Sequence, residues 1–135
     1  MTGPERQTSA ALVTLIVLQI IMLSALYAGI EPHPPVATPL FGIAPFIGAS
    51  LSIALSALIM QPLASVPGRT LSVLAGLSAL LSFGPQKYID AQLGLIWPAV
   101  VLGQIAACVI LWRVLVATRA QGHAGLTTTP SAGRA

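Results

Sequence analysis

Residues 10–30 read AALVTLIVLQIIMLSALYAGI. No charged side chain interrupts the run. As a helix rising 1.5 Å per residue it covers about 31 Å, close to the thickness of a bilayer's hydrocarbon core. The pattern recurs along the chain. All charges sit at Glu5, Arg6, Glu31, Arg69, Lys87, Asp90, Arg113, Arg119 and Arg134, so residues 32–68, 70–86 and 91–112 are also uncharged. A composition of 56% hydrophobic and 7% charged residues, with mean hydropathy +0.90, lacks the polar surface of a soluble domain, in which about 25% of residues are charged. It excludes an ordinary soluble enzyme and a disordered chain. The single cysteine excludes an intrachain disulfide framework and a CxxC site.

These gaps predict an all-α integral membrane protein: a four-helix transmembrane bundle with both termini cytoplasmic. The candidate spans are residues 10–30, 39–61, 70–86 and 91–117, between a polar N-terminal tail (1–8) and a disordered C-terminal tail (118–135). Orientation follows the positive-inside rule. Four crossings put Arg6, Arg69, Arg113, Arg119 and Arg134 on one side and Lys87 on the other. Scattered cations without interleaved aromatics do not make a nucleic-acid footprint. The apolar run of residues 10–30 is about twice the length of a signal-peptide core and lacks a small-residue cleavage site, so it reads as a span. An Arg-rich, Ala- and Gly-rich composition points to a bacterial inner membrane.

Local signals set the ends. Thr8 or Ser9 is the expected cap of span 1, Thr38-Pro39 that of span 2 and Thr70 that of span 3. Pro32, Pro34, Pro35 and Pro39 exclude helix from the first loop, and Pro45 and Pro98 predict kinks in spans 2 and 4. Span 3 has the least clear length. Its uninterrupted apolar stretch, 71–83, reaches only about 20 Å before Gly84-Pro85. Continuation through Pro85 with Lys87 snorkelling, local bilayer thinning and a re-entrant segment all answer the shortfall; the charge rule favours a full crossing.

Three stripes of small residues stand out: Ala44, Gly48, Ser52 and Ser56; Ser72, Ala75, Gly76 and Ala79; Ala99, Gly103 and Ala107. In lipid, helices associate by close backbone approach rather than by hydrophobic force, and small residues permit it. The stripes predict bundle packing and, being numerous for four helices, a surface for another membrane subunit or a second copy. Gln19 and Gln104, each nine residues from its span's inner end, are expected to pair across spans 1 and 4 as interhelical glue. Of the aromatics, Tyr27, Phe41, Phe46, Phe83, Tyr88 and Trp97 fall in the outer half and outline a candidate site for a lipid, quinone or pigment, although an ordinary aromatic belt gives the same pattern. Cys108 reads as a buried apolar residue.

Chemistry-bearing constellations are missing. No Asp, Glu, Lys or His lies mid-span, as proton- or cation-coupled transport usually requires. No base accompanies the serines, and His33 and His123 lie outside the spans, so no haem is expected. Glu31, His33 and Asp90 have no metal-ligand spacing. The sequence therefore predicts no catalysis, no metal and no cofactor. It points to an accessory or assembly subunit packing against a larger membrane complex, an energy-transducing one among the candidates, with membrane lipids and other subunits as partners. The alternative is a small homo-oligomeric transporter or channel whose path would use Gln19, Gln104 and the span-2 serines.

Overall fold

The computed structural model describes residues 2–30, 40–89, 91 and 93–127. It is all-helical, and no strand occurs among those residues. Four helices follow one another: α1 (Gly3–Ala28), α2 (Leu40–Ile59), α3 (Val66–Phe83) and α4 (Leu93–Thr127), with a 3-10 segment, Pro85–Ile89, after α3. At 1.5 Å per residue they measure about 39, 30, 27 and 52 Å. Four stretches, one in each of these regions, are long and apolar enough to cross a membrane.

The ends differ from those the sequence suggested. Span 1 starts at Gly3 rather than near residue 10. Pro4 occupies the first turn and Glu5 lies where the helix dipole favours a carboxylate. Thr8 is no cap; it is wholly buried, and its hydroxyl donates to the Pro4 carbonyl at 3.0 Å. Gly29, at φ 64°, closes the helix in the left-handed conformation, with the Ile30 N–H reaching the Ala25 carbonyl at 3.1 Å.

Span 3 begins at Val66 rather than Thr70. Ser65 is its cap, accepting from the Gly68 N–H at 2.9 Å, and the Thr70 hydroxyl donates instead to the Val66 carbonyl at 3.1 Å. The α2–α3 turn is tight at Gly68: a Cβ there would lie 2.1 Å from the Gln61 carbonyl oxygen. Pro45 and Pro98 lie within α2 and α4, which continue past them. The Thr38-Pro39 cap lies outside the described residues, as do Glu31, His33 and Asp90.

Helix α4 does not end near Ala117. It continues through Thr127 over part of what reads as a disordered tail. No proline intervenes before Pro130. Once a helix is nucleated, each further residue costs little to add. Thr118 and His123 both bond back to carbonyls four residues earlier, at 2.8 and 2.9 Å.

The helices form an antiparallel ring in which α1 contacts α2, α2 contacts α3, α3 contacts α4 and α4 closes on α1; α1 also touches α3 across the diagonal. Arg113 on α4 donates to the Gln7 side-chain oxygen on α1, which fixes the start of α1 and the late part of α4 at one end of the bundle. The α2–α3 turn, with Arg69, shares that end, and the α3–α4 connection with Lys87 lies at the other.

The core is built largely of small residues. Ala11, Ala54, Ala57, Ala75, Ala79, Ala106 and Ala107 surround Leu12, Leu15 and Ile110. Large apolar side chains instead face outward, among them Val17, Ile21, Leu55, Leu77, Leu81, Leu102 and Ile105. This distribution inverts that of a water-soluble bundle and leaves an apolar exterior far beyond what water tolerates.

Candidate functional site

The small-residue stripes divide by helix. On α3, Ser72, Ala75, Gly76 and Ala79 are all buried. A Cβ on Gly76 would meet the Leu111 side chain at 3.3 Å, and Ser72 donates at 3.4 Å to the Pro62 carbonyl. On α4, Gly103 and Ala107 are buried and Ala99 half-buried; a Cβ on Gly103 would lie 2.8 Å from both Cβ and Cγ of Phe83. These two stripes form the α3–α4 seam.

The α2 stripe does not serve the bundle. The helix turns Ile47, Ser50, Ala54 and Ala57 inward. At 100° per residue the centre of Ala44, Gly48, Ser52 and Ser56 lies about 160° away from that inward face. Nothing lies within 4 Å of a Cβ built on Gly48. Ser52 is exposed, its hydroxyl turned back onto the Gly48 carbonyl at 2.9 Å. The stripe therefore runs along the outside of α2, with Ala44, Gly48 and Ser56 half-buried among the exposed side chains of Phe41, Leu55 and Ile59.

The expected Gln19–Gln104 pair is not formed. Gln104 caps α3 instead. Its amide nitrogen donates to the Phe83 carbonyl at 3.0 Å, and its oxygen accepts from the Tyr88 hydroxyl at 3.0 Å. Gln86 adds a second cap, donating to the Leu81 and Leu80 carbonyls at 2.7 and 3.2 Å. The Lys87 N–H reaches the Gly84 carbonyl at 3.0 Å.

A helix that stops short of the membrane boundary exposes up to four carbonyls where water is scarce, at a cost of several kcal/mol each if unpaired. Here the side chains of Gln86 and Gln104 cover three of those four. Span 3 thus completes its length as α-helix plus 3-10 turn, about 27 and then about 10 Å. The sequence signal was Gly84-Pro85 followed at once by Gln86. At Gly84 a Cβ would fall 2.1 Å from the Leu80 oxygen. A helix interrupted within a membrane is often an ion or substrate site, but these carbonyls are already committed to amide donors.

Gln19 has the opposite character. It is 1% exposed, at the centre of α1's inward face with Leu12, Leu15 and Leu26, and its side-chain oxygen has no hydrogen-bond partner among the described residues. By helix rise from the Gln7–Arg113 contact it lies about 18 Å into the bundle and Gln104 about 13 Å, nearly a helical turn apart, and the two do not meet.

None of the six outer aromatics lines the groove between α1 and α4 described below. Tyr27, Phe41, Phe46, Tyr88 and Trp97 are exposed, and Phe83 is buried against Gly103. Cys108 is exposed on the outside of α4 rather than buried. A groove of about 450 Å³ lies elsewhere, between α1 and α4 at the arginine-bearing end, with Gln7, Trp112 and Arg113 at its mouth. No reading from sequence placed a groove there. The adjacent small residues Ala10, Ala11 and Ala106 were its only trace. Comparison with known protein families, with characterised proteins and with solved structures finds no match for this chain.

Proposed function

We propose that this chain is a non-catalytic, multi-pass subunit of a bacterial inner membrane, with both termini cytoplasmic, that docks through α2 against a larger membrane complex as an accessory or assembly component. The observation that carries the reading is the outward strip of Ala44, Gly48 and Ser52. Small residues in lipid gain contact energy only when another backbone approaches closely, and this strip lies opposite the face that α2 turns into the bundle. The segregation of Arg6, Arg69, Arg113 and Arg119 to one end of the bundle supports the orientation.

Native purification in mild detergent tests the proposal. The parent chain should carry stoichiometric partner chains, and Gly48→Leu should lose them while the isolated chain unfolds at the same denaturant concentration. A parent chain that purifies alone as a monomer would refute it.

Gln19 favours a second reading, a homo-oligomeric transporter or channel, because an unpaired amide oxygen inside an apolar bundle could serve a passing polar solute. On that reading Gln19→Leu abolishes flux in reconstituted vesicles. On the subunit reading it leaves partner binding intact.

A further inference from the structure

We infer that the groove between α1 and α4 is a binding site for one anionic phospholipid, with its phosphate on Arg113 and an acyl chain against Ala10, Ala106 and Val109. The inference rests on the membrane placement proposed above, but not on the docking role of α2.

The groove's volume, about 450 Å³, falls within the range of about 300–1,000 Å³ found for small-molecule sites. Its walls are apolar. Thr14, which also lines it, has its hydroxyl committed to the Ala10 carbonyl at 3.0 Å, so the interior offers an acyl chain no competing polar group. The mouth is formed by Trp112, exposed at the depth where tryptophans meet headgroups, and by Arg113.

The partner of Arg113 decides the ligand's charge. Its guanidinium donates to Gln7 and makes no ion pair among the described residues. A neutral amide orients the guanidinium without neutralising it. One of five N–H donors is used, and the remainder, with the full positive charge, suit a phosphate diester. Arg6, Arg69 and Arg119 lie toward the same end and outweigh Glu5, the one carboxylate there among the described residues, so the field keeps its positive sign. A zwitterionic headgroup also carries a phosphate, but its ammonium meets this field unfavourably, so a net anionic lipid is preferred.

The test uses the full chain with Trp97→Phe, leaving Trp112 as the sole tryptophan, excited at a wavelength the tyrosines do not absorb. It is reconstituted into vesicles of phosphatidylglycerol and phosphatidylcholine in which one or the other lipid carries brominated acyl chains. Bromine quenches tryptophan on contact. The expected result is an about fivefold preference for phosphatidylglycerol at Trp112 over its bulk proportion, the equivalent of about 1 kcal/mol for one basic residue near an anionic lipid.

Gln7→Glu should abolish the preference, since a carboxylate neutralises Arg113 while keeping its position and strengthening the contact that joins α1 to α4. Arg113→Lys should retain part of it and Arg113→Gln none. Ala106→Leu, which fills the groove, should reduce quenching by both lipids.

Equal quenching by the two headgroups in the parent, or an undiminished preference in Gln7→Glu, would overturn the inference. So would a Trp112 quenched by neither lipid, which would mean that a protein chain covers the groove. A companion chain with Trp112→Phe reports through Trp97. If neither lipid quenches Trp97, the membrane placement itself fails; if Trp97 is quenched and Trp112 shows no preference, only the lipid site fails.

Discussion

Adding one methyl group at three glycines should separate the faces of this bundle. At Gly48 a new Cβ has nothing within 4 Å, at Gly76 it would meet Leu111 at 3.3 Å, and at Gly103 it would lie 2.8 Å from Phe83 Cβ and Cγ. Replacing a mid-helix glycine by alanine gains roughly 0.5–1 kcal/mol from backbone entropy wherever space allows. Gly48→Ala should therefore be neutral or slightly stabilising. At Gly76 the leucine must give a few tenths of an ångström, which offsets most of that gain. At Gly103 the obstacle is the root of an aromatic side chain, so α3 and α4 must separate by close to 1 Å. That separation also stretches the 3.0 Å bond from Gln104 to the Phe83 carbonyl. Overpacking costs about 1–3 kcal/mol, and the strained cap places Gly103→Ala toward the upper end. The expected spread between Gly48→Ala and Gly103→Ala is about 2–3 kcal/mol, read as a shift in the unfolding midpoint on titrating mixed micelles with a denaturing detergent. Equal stabilities at the two positions would refute the helix faces assigned above.

The two glutamines should respond in opposite directions. Gln19→Leu removes a buried oxygen that has no partner and should leave stability unchanged or raise it, by up to about 1–3 kcal/mol, in the same unfolding assay. Gln104→Leu uncaps α3 and should cost about 1–2 kcal/mol, with Tyr88→Phe, which removes one of the two bonds, costing about 0.6 kcal/mol. Topology is checked in a Cys108→Ala background: Lys87→Cys and His123→Cys should react with a membrane-impermeant maleimide from opposite sides, and labelling from the same side would refute four crossings. Native Cys108, facing outward from the apolar part of α4, should resist that reagent until the membrane is dissolved.

Charge placement made the number and order of helices legible. Nine ionised side chains leave four uncharged stretches, and no competing signal in the chain disturbs that division. Helix ends were less legible because several hydroxyl residues offer the same capping chemistry. Thr8, Ser9 and Thr70 each resemble caps, yet Thr8 and Thr70 bond back to carbonyls four residues earlier inside their helices. Ser65 prevails because Pro67 and Gly68 follow it: the proline suits the first turn, and the glycine is the residue that passes beneath the Gln61 carbonyl. The cap on α3 was hidden for another reason. It joins Gln104 to Phe83, 21 positions apart in the chain, and its need arises only from the early stop at Gly84, where the helix leaves carbonyls that some donor must reach.

The direction in which a small-residue stripe faces depends on which face of its helix is the only one with small residues. On α3, Ser72, Ala75, Gly76 and Ala79 turn inward, while Leu74, Leu77 and Leu81 turn outward, so close approach has one available side. On α2 two faces compete. Ser50, Ala54 and Ala57 form one, and Ala44, Gly48, Ser52 and Ser56 the other, about half a turn apart. Periodicity alone ranks the second higher, since it holds a glycine and an unbroken four-residue spacing. The bundle nevertheless packs on the first, where Ile47 is wholly buried and supplies bulk that a glycine lacks. Packing attraction in lipid falls steeply with any gap. The face with the glycine is therefore the poorer one for a ring of four helices that already has an alanine-rich centre. The same property that makes the strip unsuited to the chain's own core is the one the proposed docking role requires.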